Sequence, residues 1–148
     1  MAVHKITPFL WFNDKAEEAA RYYCEIVPNS QVVSVSPMVT TFELDGVRFN
    51  ALNGGPTYKH TPAFSIMIDC EDQAEVDHYW NKFIGDGGVE NRCSWLNDKY
   101  GLSWQIVPKR LMQLLSDPDQ GRRERAMQAM FKMSKIIIAD MEAAANAA

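Results

Sequence analysis

The sequence contains one pattern of predicted elements twice, and this repetition restricts the possible folds more than any other feature. Each copy predicts a strand, a helix and three further strands, because runs rich in aromatic and branched residues alternate with an amphipathic segment. The first copy occupies residues 4–55 and the second occupies residues 62–108. Two consecutive βαβββ units predict an α+β fold built from a repeat. The predicted strands cover residues 5–12, 31–36, 39–44, 47–52, 63–69, 89–94, 94–97 and 102–107, and the predicted helices cover residues 15–26 and 73–84.

The two copies align with two constant offsets. The first offset pairs Asp14 with Asp72 and Glu17 with Glu75, so each helix is predicted to begin with an acidic N-cap in a capping box. A second, slightly shorter offset aligns the last strands of the two copies. In the first copy, that last strand follows the pair Asp45-Gly46, which is typical of a two-residue hairpin turn.

Composition and charge restrict the class of protein. The chain has 148 residues, of which 23% are charged, and its formal net charge is −4. This acidic balance excludes a generic basic nucleic-acid-binding protein, and no apolar run reaches the ~18 residues that span a bilayer. The N-terminal segment lacks the apolar core of a signal peptide, and three cysteines without a C-x-x-C pair favour reduced thiols. We therefore expect a cytoplasmic protein with neither a nucleic-acid nor a membrane partner.

Residues 109–148 form a C-terminal extension of helical composition. A short helix is predicted over residues 110–115, and Asp117-Pro118-Asp119 ends it. A single long helix is predicted over residues 120–145, because methionine and isoleucine side chains recur there at helical spacing. We expect this apolar stripe to pack on the chain's own domain (residues 1–108) or on a partner subunit.

Several segments carry a resemblance to a known family. They are residues 5–12, 16–19, 49–56, 100–108 (Tyr-Gly-Leu-Ser-Trp-Gln-Ile-Val-Pro) and 125–144. These segments resemble the PhnB-like proteins, a branch of the vicinal oxygen chelate superfamily that bears the name 3-demethylubiquinone-9 3-methyltransferase. Glyoxalase I, extradiol dioxygenases, fosfomycin-resistance enzymes and bleomycin-binding proteins belong to the same superfamily. The resemblance implies that the two units form a curled, open half-barrel sheet and that the chain forms a homodimer.

The methyltransferase name implies a nucleotide-like cofactor, which the glycines of this chain do not favour. A typical S-adenosylmethionine enzyme has a glycine-rich turn between its first strand and the helix that follows. The run Gly85-Asp86-Gly87-Gly88 instead follows a predicted helix, where glycine is typical of a helix end. We therefore expect no such cofactor, and methyl transfer remains an alternative carried by the family name alone.

The resemblance also implies where a metal ion would bind. Metal-binding members of the superfamily place His and Glu ligands on the first and last strands of each unit, and the repeat puts those four positions at Thr7, Ser65, Asn50 and Gln105. Hydroxyls and neutral amides are weak ligands for a catalytic divalent ion. We expect no metal ligands at these positions. A metal-dependent lyase, isomerase or dioxygenase, with ligands that include His4 or His60, is the alternative; His78 lies within a predicted helix.

A neutral binding site fits these residues better. Strand alternation places Phe9 and Trp11 on the same face as Thr7, and Trp95 and Cys93 are expected to line the same trough. Aromatic walls with a few amides and hydroxyls suit a small organic ligand. The alternatives are that the tryptophans belong to the core, that Gln105 pairs with Asn50 for structural reasons, and that Cys93 is a buried apolar residue or a nucleophile beside His60.

Overall fold

The computed structural model describes residues 4–147, and the chain divides into two compact units between His60 and Thr61. The first unit contains a four-stranded sheet in the order β1-β4-β3-β2 and one helix. Parallel pairing of β1 with β4 aligns Phe9 with Asn50. The elements of this unit are β1 (Phe9–Phe12), α1 (Ala16–Ile26), β2 (Gln31–Val35), β3 (Val39–Leu44) and β4 (Val47–Asn53).

The second unit repeats this topology, with strand order β5-β8-β7-β6. Parallel pairing of β5 with β8 aligns Met67 with Gln105. These positions are related to Phe9 and Asn50 by the two offsets that the sequence predicts, so the α+β class and the βαβββ repeat are confirmed. The elements of this unit are β5 (Ser65–Cys70), α2 (Gln73–Gly85), β6 (Val89–Glu90), β7 (Trp95–Asn97) and β8 (Ser103–Pro108).

Strand alternation gives each sheet one face against its helix and one face without it. In β3, Thr40, Phe42 and Leu44 are buried while their neighbours are half-buried. Phe42 packs near Tyr23 of α1, with ring centroids 6.3 Å apart. In β8, Trp104 is fully buried and packs on Phe83 of α2, with ring centroids 4.9 Å apart. The opposite face of each sheet carries the candidate site residues.

The two helices begin differently, and the prediction for α1 is wrong. Asp72 caps α2 as predicted, because its side chain accepts a hydrogen bond from the backbone N–H of Glu75 at 3.0 Å. Asp14 caps nothing, since Lys15 occupies the N-cap position of α1 and makes no side-chain cap bond. Asn53 supplies the missing acceptor, and its Oδ1 takes the N–H of Ala16 at 2.9 Å.

The offset between the two helices is consequently one shorter than the sequence predicts. The linker before α1 is residues 13–15, whereas the linker before α2 is only residues 71–72. The corrected offset pairs the buried faces of the two helices, with Tyr23 at the position of Trp80 and Ile26 at the position of Phe83. The extra linker residue moves Asp14 one position too early to act as a cap.

The extension contains three helices rather than the two predicted. The short helix α3 (Lys109–Leu115) is confirmed, but the predicted long helix is two helices, α4 (Gln120–Met130) and α5 (Ile138–Asn146). The intervening residues 131–137 are held by backbone bonds from Cys93 N to Met133 O (2.8 Å) and from Ser94 N to Ser134 O (2.9 Å). These bonds take carbonyls that a continuous helix would use internally.

The extension belongs to the second unit and packs on its sheet and helix. Val107 of β8 joins a buried cluster with Leu111, Leu114, Ile136 and Met141. The side-chain amide of Gln73 in α2 donates to Ile136 O and accepts from Ile138 N. These two hydrogen bonds fix the start of α5 against α2. Within residues 4–147, none of the helices has both the length and the apolar character that crossing a membrane requires.

Candidate functional site

Each sheet carries, on the face without its helix, one amide side chain flanked by residues of the two neighbouring strands. In the first unit Asn50 lies between Phe9 of β1 and Thr41 of β3, which we call the Asn50 row. In the second unit Gln105 lies between Met67 of β5 and Trp95 of β7, which we call the Gln105 row. The two rows occupy equivalent positions of the repeat.

The amide of Asn50 is held at one end. The hydroxyl of Thr41 donates to Asn50 Oδ1 at 2.6 Å, and both side chains are half-buried. Asn50 Nδ2 has no hydrogen-bond acceptor among residues 4–147. Phe9 beside it is 56% exposed, a large apolar surface for a strand residue. The row therefore offers an amide donor next to an exposed aromatic ring.

The amide of Gln105 is held in the same way by a different strand. Gln105 Nε2 donates to the hydroxyl of Ser65 at 2.9 Å, so the structure brings together two of the predicted site residues. Gln105 Oε1 accepts no hydrogen bond from the described part of the chain. Trp95, another predicted residue, lies directly opposite Gln105 and is half-buried. Each predicted amide is thus paired with a hydroxyl of its own unit.

Trp11 is fixed beside the end of the first sheet. Its Nε1 donates to Gly55 O at 2.9 Å, and its ring meets Tyr58 edge-on at 5.0 Å between centroids. A Cβ on Gly54 would lie 2.4 Å from the indole, so glycine is required there for the ring to lie against the backbone. Trp11 shares a face with Phe9, two residues earlier in the same strand.

Within residues 4–147, the side chains of Thr7 and Cys93 form no hydrogen bond with a side chain of either row. Thr7 lies two residues before Phe9, where the ladder continues with a bond from Asn50 N to Pro8 O at 3.0 Å. Cys93 has a positive φ of 58°, and Ser94 has one of 81°, so strand alternation fails before β7. The Cys93 thiol donates to Met130 O at 3.5 Å, in the extension. Our candidate site therefore omits Cys93.

The sequence analysis placed Phe9 on the face of Thr7 and Trp11 without making it a candidate site residue, and it missed Thr41, Met67 and Tyr58. The hairpin register could have predicted Thr41. Thr41 and Asn50 are equally far from the Asp45-Gly46 turn, so they must face each other in a hairpin without a bulge. The repeat could have predicted Phe9 and Met67. They lie two residues after Thr7 and Ser65, the positions that the sequence analysis chose on the first strand of each unit. No comparable signal marks Tyr58, which lies in an irregular segment.

The residues of the two rows do not fit a divalent metal ion. The rows present amides, hydroxyls, a thioether and aromatic rings, whereas such ions prefer imidazole or carboxylate. Among residues 4–147 there is no group of three or more His, Cys, Asp or Glu side chains arranged to hold one. His60 lies against Phe12 at 5.2 Å, and His78 lies edge-on to Tyr79 at 5.1 Å. His4 is exposed, near Gly46 and Arg48.

The glycines do not fit a nucleotide cradle either. Residues 13–15 and 71–72, which join the first strand of each unit to its helix, contain no glycine. Gly87 has a φ of 110° just after α2, as a helix end requires. A Cβ on Gly88 would lie 2.6 Å from Phe83 O and 2.7 Å from Asn97 O. Glycine is therefore needed there because the backbones of α2 and β7 lie so close to it.

Two of the three free thiols are held in their protonated form. Burial raises the pKa of Cys70 to about 12, and the nearby carboxylate of Glu75 adds to the effect. Burial also raises the pKa of Cys24, against a smaller opposing effect of Arg21. A thiol with a raised pKa is a poor nucleophile at neutral pH. Neither side chain is a candidate for covalent catalysis.

Comparison with known proteins supports this interpretation of the fold. Residues 4–107 match the model of the family described as 3-demethylubiquinone-9 3-methyltransferase. A PhnB protein from Bacillus cereus, which carries the same designation, is 33% identical over 71% of this chain and 99% of its own, with a TM-score of 0.65. The fosfomycin resistance protein FosX from Listeria monocytogenes shares the fold at 15% identity, with a TM-score of 0.59 over 78% of this chain and 98% of its own. No curated protein matches the sequence.

Proposed function

This chain belongs to the 3-demethylubiquinone-9 3-methyltransferase family, a PhnB-like branch of the vicinal oxygen chelate superfamily, and we propose that it binds a small neutral organic molecule without a metal ion. Each unit offers its own set of binding groups, the Asn50 row in the first unit and the Gln105 row in the second. The ligand has a planar apolar body and neutral hydrogen-bonding groups.

The observation that carries this proposal is the pair of half-satisfied amides at equivalent positions of the repeat. Thr41 and Ser65 each hold one end of an amide, at 2.6 Å and 2.9 Å. The other ends are one donor, Asn50 Nδ2, and one acceptor, Gln105 Oε1. Neither of these two atoms is among the fully buried side-chain atoms without a partner in residues 4–147, so water reaches both. A ligand that supplies an acceptor or a donor replaces that water and keeps the hydrogen bond.

The surroundings of the amides favour an apolar, uncharged ligand body. Phe9 and Met67 expose 56% and 55% of their surface beside the two amides, and Trp95 faces Gln105. The nearest charged side chains on the face of the Asn50 row, Glu43 and Arg48, form an ion pair with each other at 3.3 Å. Apolar walls with a few oriented polar groups are typical of small-molecule sites. The residues of the rows bind and orient; none of them is placed to move a proton.

The test uses the full chain after treatment with EDTA. Saturation-transfer NMR with benzamide and 4-hydroxybenzamide is expected to detect binding, and sodium benzoate at the same concentration is expected to bind more weakly, because its charge would be desolvated without a partner. Gln105→Ala is expected to weaken benzamide binding about fivefold to tenfold, the effect of one lost hydrogen bond. Gln31→Ala, at an exposed position of β2, is the matched control and is expected to change nothing.

Three outcomes contradict the proposal. Binding that appears only after Mn²⁺, Ni²⁺ or Zn²⁺ is added would favour a metal-dependent lyase, isomerase or dioxygenase with ligands elsewhere. Saturable binding of S-adenosylmethionine would favour the reaction in the family's name. If no neutral aromatic compound raises the melting temperature, the amides serve the fold alone, because a ligand at a hundred times its Kd should stabilise by about 2.7 kcal/mol.

A further inference from the structure

The second unit has a further amide side chain on the same sheet face as the Gln105 row. Asn97 lies two residues after Trp95 in β7, so both side chains lie on the face without the helix, while the residue between them is buried. The register places Asn97 between Val89 of β6 and Ser103 of β8, which we call the Asn97 row. This row lies directly beside the Gln105 row.

The amide of Asn97 is held at one end only. Its Oδ1 accepts hydrogen bonds from Asn91 Nδ2 at 3.2 Å and from the Ser103 hydroxyl at 3.0 Å. Its Nδ2 has no hydrogen-bond acceptor among residues 4–147, and water reaches it, since it is not one of the fully buried atoms that lack a partner there. Asn97 therefore presents a donor that a ligand can use.

The amides of Asn97 and Gln105 present opposite hydrogen-bonding groups. Gln105 presents the acceptor Oε1, because its Nε2 donates to Ser65. Gln105 pairs with Trp95, two residues before Asn97, so the two amides are diagonal neighbours on adjacent antiparallel strands. The Cα atoms of diagonal neighbours are about 7–8 Å apart. One face of the second sheet thus presents an acceptor and a donor at a set separation.

Apolar side chains flank these two amides. Val89 on β6 and Met67 on β5 lie at opposite edges of the sheet and expose 61% and 55% of their surface. Trp95 is a neighbour of both amides, because it precedes Asn97 by two residues and faces Gln105. A ring placed between the amides therefore lies among apolar and aromatic groups, as in most small-molecule sites.

The first unit has no equivalent of this pair of amides. Glu43 and Arg48 occupy the positions equivalent to Asn97 and its partner in β8, and they form an ion pair with each other at 3.3 Å. A ligand on the Asn50 row therefore meets a single half-satisfied amide, whereas a ligand on the Gln105 row meets two.

We propose that the Gln105 row and the Asn97 row together bind one para-disubstituted aromatic molecule, with a hydrogen-bond donor at one end of its ring and an acceptor at the other. The ligand's donor binds Gln105 Oε1, and its acceptor binds Asn97 Nδ2. Para substituents span a distance comparable to that between the two amides, whereas ortho substituents are too close together. This inference rests on the function proposed above and names the class of ligand that the second unit takes.

Four neutral compounds test the two hydrogen bonds separately. The compound 4-hydroxyacetophenone has both groups in para positions, and 2-hydroxyacetophenone has them in ortho positions. The donor is absent from 4-methoxyacetophenone, and the acceptor is absent from 4-ethylphenol. Kd values are measured by NMR titration of the full chain at a pH below the phenol pKa. The first compound is expected to bind about threefold to tenfold more tightly than each of the others, the effect of one hydrogen bond.

Two variants assign each hydrogen bond to its side chain. Gln105→Ala is expected to remove the advantage of 4-hydroxyacetophenone over 4-methoxyacetophenone, because the acceptor for the phenol is lost. Asn97→Asp is expected to remove its advantage over 4-ethylphenol. This variant keeps an acceptor for Asn91 and Ser103 but has no amide donor. Gln31→Ala, at an exposed position of the first unit, is the control and is expected to retain both differences.

The side-chain amide of Asn97 gives a readout that a purely structural role would not move. Its proton and nitrogen resonances are identified by triple-resonance assignment of the wild-type chain, so this measurement does not depend on any variant. Addition of 4-hydroxyacetophenone is expected to shift them. Addition of 4-ethylphenol, which has no acceptor for them, is expected to shift them much less.

The outcomes separate this inference from the proposed function. Equal Kd values for the four compounds, or differences that persist in both variants, would overturn the joint use of Gln105 and Asn97 while leaving a neutral ligand site in place. Resonances of the Asn97 amide that ignore 4-hydroxyacetophenone at saturation would overturn it as well. If none of the four compounds binds and benzamide does not bind either, the inference and the proposed function are both wrong.

Discussion

The first and second units share a strand order and a register, yet they satisfy the start of their helices with residues from different places. In the second unit the cap is local, because Asp72 precedes α2 directly. In the first unit the cap comes from Asn53, which is 37 residues away in sequence from the N–H that it accepts. In the second unit Pro108 occupies the position equivalent to Asn53 and is instead the N-cap residue of α3. The two units therefore have the same backbone path, but different residues form the hydrogen bonds that stabilise the start of each helix.

The largest expected effects on stability come from replacing the buried aromatic residue in the last strand of each unit. Phe49 and Trp104 occupy equivalent positions of the last strands, and both are buried. Phe49 stacks on Phe42 at 5.4 Å, whereas Trp104 also donates to Asp98 Oδ2 at 2.8 Å. Phe49→Ala is expected to lower the free energy of unfolding by about 3 kcal/mol and Trp104→Ala by about 5 kcal/mol. Urea unfolding followed by circular dichroism measures both.

A conservative variant separates the packing of Trp104 from its hydrogen bond. Trp104→Phe keeps most of the ring but removes the donor to a carboxylate that is only 3% exposed. Its expected cost is about 1–3 kcal/mol, the effect of removing a donor from a buried polar group. Equal losses for Phe49→Ala and Trp104→Ala would contradict the difference that we assign to this bond.

The helix caps provide the next test, with smaller effects. Asn53 makes two bonds, accepting from Ala16 N and donating to Pro37 O at 3.1 Å, whereas the Asp72 side chain caps through one bond. Asn53→Ala is expected to cost about 2 kcal/mol and Asp72→Ala about 1 kcal/mol. Asp14→Ala is expected to cost less than about 0.5 kcal/mol, as for a surface substitution. If Asp14→Ala lowers the free energy of unfolding as much as Asp72→Ala does, Asp14 caps α1 as the sequence predicts.

The smallest effect concerns a contact for which the first unit has no counterpart. Lys135 of the extension lies 3.0 Å from Asp77 of α2, and their side chains are 23% and 43% exposed. Hydrogen bonds from Gln73 and Lys135 lower the pKa of Asp77 below its ordinary value. The contact therefore stabilises the fold at pH values above the ordinary aspartate pKa, and this stabilisation is lost as the pH falls through the lower pKa of the folded state. Its size is less than about 1 kcal/mol, because both groups are partly exposed.

Melting temperatures between pH 2.5 and pH 7 would measure this effect. The difference between wild type and Asp77→Asn is expected to be largest at neutral pH. It shrinks below about pH 4, where Asp77 of the unfolded chain is protonated first and the folded carboxylate follows at lower pH. Asp14→Asn serves as the control, because Asp14 is exposed and caps no helix. A difference that stays constant over this range would mean that the ion pair does not couple the extension to α2.

Much of the fold was predictable because it rests on local patterns. Asp45 and Gly46 have φ values of 48° and 81°, as the two-residue hairpin turn requires. The repeat placed Asn50 and Gln105 at equivalent sites, and the register of both sheets bears this out. The hydrogen bond from Gln105 to Ser65 joins two residues that the repeat had marked. These features depend on residues within one strand or one turn, or on the period of the repeat.

The features that were missed depend on partners that are distant in sequence. The predicted long helix over residues 120–145 satisfies every local criterion, but Cys93 and Ser94 bind the backbone of residues 133 and 134 and end it. Their own positive φ values break the alternation that was expected to turn Cys93 toward Trp95. No periodicity in the extension reports these bonds, because their donors belong to the loop before β7.

The sequence by itself determined the two βαβββ units, the hairpin turn, the cap of α2 and the neutral chemistry of the paired amides. Tertiary structure alone decided that Asn53 rather than Asp14 caps α1, that the predicted long helix is divided into α4 and α5, and which end of each amide is hydrogen-bonded to a hydroxyl. The reason is physical: propensity and pattern act over a few residues, whereas every buried donor and acceptor must find a partner wherever the fold brings one.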